Sequence, residues 1–173
     1  MRIYEGSPRQ DWEEVLRSIG AFADRERLKE LLLLELDEGF LLQGLHLPQA
    51  SAWSESEGIL TKATHELPDE EIGKLMDEAE AKRSEEPPTT PHLEVANFYE
   101  QALRVIGAYL DAQPIRDVFF FEQEGSFVLR VQMTQAAASG GGHQLVEFTK
   151  EDILGMIEAA PQQRADAPDG RSP

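Results

Sequence analysis

Paired carboxylates are the side chains of this sequence whose spacing comes closest to a catalytic arrangement. Glu35 and Glu122 occupy matching places near the ends of two short apolar segments. If the segments met, the two like charges would raise the pKa of one carboxyl group, as general acid–base catalysis requires. The other interpretation is structural, with each carboxylate at a solvated strand end or in an ion pair with Arg17 or Arg104. We keep Glu35 and Glu122 as candidate binding residues and assign no catalytic residue.

Other residue types that carry chemistry show no functional pattern. The four histidines, at 46, 65, 92 and 143, form neither HExxH nor any other metal-ligand spacing. The glycine-rich stretch 139–143 lacks the Lys-Ser/Thr and the helix of a phosphate-binding loop, so it predicts a flexible connection. No GxSxG motif is present. We therefore expect no metal and no cofactor, and we predict that the protein is not an enzyme.

Composition narrows the classes of partner. The chain has 173 residues, no cysteine and a formal net charge of −17, so disulfides and thiol chemistry are excluded and nucleic-acid phosphates would be repelled. Anionic membrane surfaces are disfavoured for the same reason. No apolar run approaches the roughly 20 residues that span a bilayer. The first ten residues do not resemble a secretion signal. These features predict a cytoplasmic protein that binds neither nucleic acid nor membrane.

The sequence repeats itself at a distance of 87 positions. The 33 residues WEEVLRSIGAFADRERLKELLLLELDEGFLLQG, from Trp12, align without a gap on YEQALRVIGAYLDAQPIRDVFFFEQEGSFVLRV, from Tyr99. Identical pairs include Leu16/Leu103, Arg17/Arg104, Ile19/Ile106, Gly20/Gly107, Ala21/Ala108, Asp24/Asp111, Glu35/Glu122 and Phe40/Phe127. The alignment predicts a tandem duplication.

Each copy has the pattern of a helix, three strands and a second helix. Apolar residues at 3–4 spacing indicate the first helix, and short apolar runs around the turns 37–39 and 124–126 indicate a hairpin. A third strand is predicted at about 58–66 and at 143–148, each before another amphipathic segment. The predicted organisation is a first α-β-β-β-α repeat at 1–83, a Pro-rich linker at 84–92, a second repeat at 93–160 and a disordered tail at 161–173.

Two residue types retained in both copies have predicted structural roles. Gly20 and Gly107 lie in the middle of a helix, where glycine costs about 1 kcal/mol relative to alanine. We expect another backbone to pass close to them, where each helix crosses its sheet. Asp24 and Asp111 end the same helices, and their short side chains can satisfy backbone groups there.

The apolar segments predict how the copies pack. LLLL at 31–34 and VFFF at 118–121 are typical of strands covered on both faces, with helices on one side and a partner sheet on the other. We therefore predict an α+β fold, in which the two units form a pseudo-twofold intramolecular dimer with antiparallel sheets, joined edge to edge or face to face. The triple-Phe run 119–121 is predicted to be core.

The order of helix, antiparallel strands and helix in a small acidic unit resembles the type III secretion chaperone-like α+β fold, which also includes the YbjN family. That resemblance implies a non-enzymatic protein that binds extended segments of a client. The families of that fold usually form dimers from separate chains, whereas this chain carries both units. We expect a protein- or peptide-binding adaptor, monomeric or weakly dimeric. The alternative is a regulatory domain that binds a small molecule between the repeats. Function is expected where the copies diverge, around Trp53 and the 135–143 loop.

Overall fold

The computed structural model describes residues 12–46, 61–85, 97–113, 115–133 and 142–165. Four helices and six strands follow one another in these ranges. In chain order they are α1 (Trp12–Arg25), β1 (Leu28–Leu36), β2 (Gly39–His46), β3 (Thr61–Pro68), α2 (Asp69–Glu85), α3 (Phe98–Asp111), β4 (Ile115–Gln123), β5 (Ser126–Met133), β6 (His143–Phe148) and α4 (Lys150–Ala165). The predicted α+β class is confirmed.

The six strands form one antiparallel sheet with the order β3-β2-β1-β4-β5-β6. Its central pair, β1 and β4, joins the first three strands to the last three. Leu33 lies opposite Phe120 in this pair, and both are buried. Joining the apolar β1 and β4 to each other removes two exposed edges that would otherwise invite aggregation. The two groups of strands therefore meet edge to edge.

All four helices pack on the same face of the sheet. Their apolar stripes, such as Val15, Leu16 and Ile19 of α1, form one buried cluster with alternate strand residues, including Leu33 and Phe120. Burial of each such side chain contributes about 1.5–3 kcal/mol. The strands were expected to have a partner sheet on their second face. The described residues form only this one sheet, so no partner sheet is present in that part of the chain.

Helices α1 and α3 cross in direct backbone contact. A Cβ atom on Gly20 would lie 2.6 Å from the Tyr99 carbonyl carbon, and one on Gly107 would lie 2.6 Å from Glu13 Cα. A close backbone approach at these glycines was predicted, and it is confirmed. The approaching backbone belongs to the other helix, however, and not to the sheet. Glycine is needed here because any side chain would separate the two helices.

The element boundaries differ from the predicted ones at the ends of the units. Helix α2 continues to Glu85 and α4 to Ala165, beyond the predicted limits of 83 and 160. The first five residues of the predicted disordered tail therefore belong to a helix. Strand β3 is described over Thr61–Pro68, so it ends two residues beyond the predicted end near 66, and the predicted start near 58 lies outside the described residues. None of the described helices has the length and apolar character that crossing a membrane requires.

Candidate binding surface

The two candidate carboxylates, Glu35 and Glu122, stabilise backbone groups across the β1–β4 pair. Glu122 Oε2 accepts a hydrogen bond of 3.2 Å from the Leu31 backbone amide, and Glu35 Oε2 accepts one of 3.0 Å from the Val118 amide. The need for such a partner is clear at Leu31, because a β-bulge between Lys29 and Leu32 interrupts the ladder with β2 there. Each carboxylate therefore satisfies a donor on the opposite strand.

Glu35 and Glu122 do not form the carboxylate pair considered from the sequence. Each lies two residues beyond the central Leu33–Phe120 pair, in opposite directions along the paired strands β1 and β4, which we call the seam. At about 3.3 Å per residue their positions are roughly 13 Å apart. The proposed ion pairs with Arg17 or Arg104 are also wrong. Those guanidinium groups lie 3.0 Å from Glu100 and 3.3 Å from Glu13, across the α1–α3 contact.

Tyr99 is a buried side chain beside Glu122 that carries a proton. Its hydroxyl donates a hydrogen bond of 2.7 Å to Glu122 Oε2. Burial, followed by the negative charge of Glu122, raises the pKa of the Tyr99 hydroxyl far above its usual value. The phenol therefore stays protonated and serves as a fixed donor. Within the described ranges, no group of three or more histidine and carboxylate side chains could hold a metal ion.

Two aspartates cap the helices of the opposite half. Asp24 accepts hydrogen bonds from the Tyr99 and Glu100 amides at 3.1 and 2.8 Å, at the start of α3. Asp111 accepts bonds from the first two amides of α1, at 2.7 and 3.0 Å. The predicted role, satisfaction of backbone groups, is confirmed, but the groups lie in the other helix. Burial raises the pKa of Asp24 to about 6, against the lowering effect of its two amide bonds.

Removal of either cap should destabilise both halves of the fold. We expect Asp24→Ala and Asp111→Ala each to lower the free energy of unfolding by about 1–2 kcal/mol, because two helix-start amides lose their acceptor. Urea denaturation followed by circular dichroism measures the loss. Glu151→Ala, an exposed acidic residue in the first turn of α4, is the control and should change stability by less than about 0.5 kcal/mol. Equal losses for all three variants would contradict the capping role.

The second face of the sheet, which carries none of the described helices, is apolar at its centre. We call it the open face. Its central side chains are all partly exposed and come from the four inner strands: Leu32, Leu34, Leu41, Phe119, Phe121 and Val128. The rings of Phe119 and Phe121 lie 5.7 Å apart on it, whereas Phe120, between them, points into the core. The prediction that the triple-Phe run is core is therefore confirmed only for Phe120.

Two rows of side chains cross the open face from edge to edge. The first row is Thr64, Gln43, Leu32, Phe121, Val128 and Glu147. The second row is Glu66, Leu41, Leu34, Phe119, Arg130 and Leu145. Leu145 is 71% exposed, although leucine is usually buried. The face is thus an apolar band with charged residues toward its two margins.

A shallow depression of about 160 Å³ is lined by residues of the adjacent strands β1, β4, β5 and β6. Its polar lining is Glu35, Arg130, Gln132 and His143, and its apolar lining is Leu34, Val118 and Phe119. Arg130 and His143 are exposed. The depression is smaller than the pockets of roughly 300–1,000 Å³ that hold drug-sized molecules.

The open face was not identified from the sequence, and the residues chosen there lie elsewhere. Trp53 falls outside the described residues, as does most of the 135–143 loop. Glu35 and Glu122 accept hydrogen bonds from backbone amides across the β1–β4 pair. No sequence signal separated the two faces within 119–121, because all three residues are phenylalanine; only the strand geometry places Phe120 in the core and its neighbours outward.

No family model matches the chain, and no curated protein or solved structure is significantly similar to it.

Proposed function

We propose that this chain is a non-catalytic protein-binding module, and that its open face contacts the partner. The apolar band on that face carries the proposal, because soluble proteins rarely expose a contiguous apolar surface without a binding role. An apolar sheet face can bury its side chains against a second sheet or another apolar protein surface. The candidate catalytic groups already have structural hydrogen bonds: Glu35 and Glu122 bond strand amides, and Tyr99 bonds Glu122. This engagement favours binding over catalysis.

We also propose that the binding surface arose from an internal duplication packed about a pseudo-twofold axis through Leu33 and Phe120. Several contacts across the seam recur at residues 87 positions apart, which supports the duplication. Asp24 and Asp111 cap each other's helix, Gly20 and Gly107 each approach the other's helix, and Glu35 and Glu122 each accept a strand amide. On this proposal the open face is a composite surface that neither unit could form alone.

Quantitative affinity capture tests the binding role. The wild-type chain, Phe119→Glu and Ala81→Glu are used as baits in lysate of the source organism. Ala81 is exposed on α2, so its variant adds the same charge away from the open face. We expect at least one protein whose enrichment falls tenfold or more with Phe119→Glu and is unchanged with Ala81→Glu. Identical capture profiles for the three baits would contradict a role for the open face.

The depression beside Arg130 supports a second candidate function, the binding of a small anion at the seam. Arg130 and His143 could bind a carboxylate or phosphate there, and Leu34 and Phe119 could bury an apolar substituent. A thermal-shift screen of small organic anions distinguishes this function. It is supported if one anion raises the melting temperature of the wild-type chain and not that of Arg130→Ala.

A further inference from the structure

We infer that, in the free protein, the open face is covered by the open face of a second copy. The result is a homodimer in which two six-stranded sheets stack face to face. The dimer rests on the proposed function in that it uses the same surface, which the second copy covers when no other protein is bound.

The composition of the open face suits a second copy of itself. Although the chain has a net charge of −17, the described strand positions on this face carry few charges. The positions include three acidic residues, Glu66, Glu147 and Asp117, the last by its register opposite Gln132, and two basic residues, Arg130 and Lys62. The face is therefore close to neutral, and the acidic excess lies elsewhere on the molecule. A nearly neutral apolar face can meet its own copy with less local repulsion than an acidic face would cause.

The size of the open face matches a weak dimer. Six strands at about 4.8 Å spacing give a width of roughly 29 Å, and about six residues at 3.3 Å give a length of roughly 20 Å. The projected area is thus roughly 600 Å² per copy, somewhat below the roughly 800 Å² per partner of a standard stable interface. We therefore expect a dissociation constant in the micromolar range.

Charged residues on the open face complement one another in both simple twofold arrangements. With the twofold axis parallel to the strands, each row packs on the same row of the second copy in reversed order. Arg130 then lies one strand away from Glu66 of the second copy. With the axis perpendicular to the strands, the two rows exchange, and Arg130 lies one strand away from Glu147 of the second copy. Leu34 and Phe119 remain at the apolar centre in either case.

A stacked second sheet also accounts for the apolar character of both faces of the central strands. The segments LLLL and VFFF are typical of strands that have a layer on each side. Within one chain, the described helices supply only one of these layers. Face-to-face packing at about 10 Å is the common way in which two sheets bury such surfaces.

Sedimentation equilibrium across micromolar concentrations tests the inference on the full chain. The mass should rise from 19.4 kDa toward twice that value as concentration increases. Phe119→Glu should raise the dissociation constant at least about 100-fold, because it places like charges at the centre of the interface. Ala81→Glu adds the same charge outside the face and should leave the constant unchanged. Circular dichroism checks that both variants are folded.

A charge exchange then identifies the arrangement. Arg130→Glu should weaken the dimer about tenfold. Combination with Glu66→Arg should restore it if the axis is parallel to the strands, and combination with Glu147→Arg if the axis is perpendicular. Rescue by neither would overturn the stacked arrangement.

Two further outcomes separate this inference from the proposed function. A wild-type chain that stays monomeric throughout, or a dimer that Phe119→Glu leaves intact, would overturn the homodimer. Capture of a partner that depends on Phe119 would then still support the binding role. A dimer without any captured partner would support the homodimer alone.

Discussion

Replacement of Gly20 or Gly107 with alanine is expected to lower the free energy of unfolding by about 3 kcal/mol. The added Cβ would lie 2.6 Å from backbone atoms of the facing helix, and a backbone cannot rotate away as a side chain can. Helices α1 and α3 would therefore have to separate, and each helix carries the cap of the other. Urea denaturation followed by circular dichroism measures the loss.

Two other helical glycines provide matched controls for this prediction. Gly73 in α2 and Gly155 in α4 have no atom within 4 Å of an added Cβ. Gly73→Ala and Gly155→Ala should therefore stabilise the protein by about 0.5–1 kcal/mol, because alanine favours the helix. Opposite signs for the two pairs would locate the constraint at the α1–α3 contact. A neutral Gly20→Ala would show that the helices do not cross there.

The second large effect is expected at the centre of the sheet. Phe120 is 2% exposed and stacks on the ring of Phe127, with 5.3 Å between the ring centroids. Phe120→Ala should destabilise the fold by about 3–5 kcal/mol, and Leu33→Ala by about 2–5 kcal/mol, since each leaves a cavity at the seam. Thermal and urea unfolding measure both losses.

Leu145 is the control for the central pair because its side chain is largely exposed on the open face. Leu145→Ala should change the stability of dilute protein by no more than about 0.5 kcal/mol. Should Phe120→Ala prove as mild as Leu145→Ala, the pairing of β1 with β4 would be wrong. Two separate transitions in the wild-type chain would likewise contradict a single core.

The sequence predicted the local elements well because their signals are local. The 3–4 spacing that includes Leu16 and Ile19 defines α1, and the turn at 37–39 separates β1 from β2. Glycine in a helix also predicted a close backbone, since its cost needs a compensating contact. These inferences require only neighbouring residues. The exceptions are the ends of α2 and α4, where helical structure continues beyond the predicted limits.

The hydrogen-bond and ion-pair partners of the polar residues that recur in both copies could not be predicted from the sequence. Asp24 bonds the Tyr99 amide, 75 residues away, and Glu122 bonds the Leu31 amide, 91 residues away. A carboxylate can accept from any amide that the fold brings close, so its residue type does not identify its partner. The same ambiguity affected Arg17, whose partner is Glu100 and not a strand-end glutamate.

The sequence by itself determined that equivalent segments form equivalent elements and that β1 and β4 are apolar on both faces. Only the tertiary structure decided that Leu33 lies opposite Phe120 and that the described helices cover one face of the sheet. The physical reason is that strand pairing uses backbone groups that every residue shares, so the register depends on how distant segments meet. With both faces apolar, the residues alone did not show which face the described helices would leave uncovered.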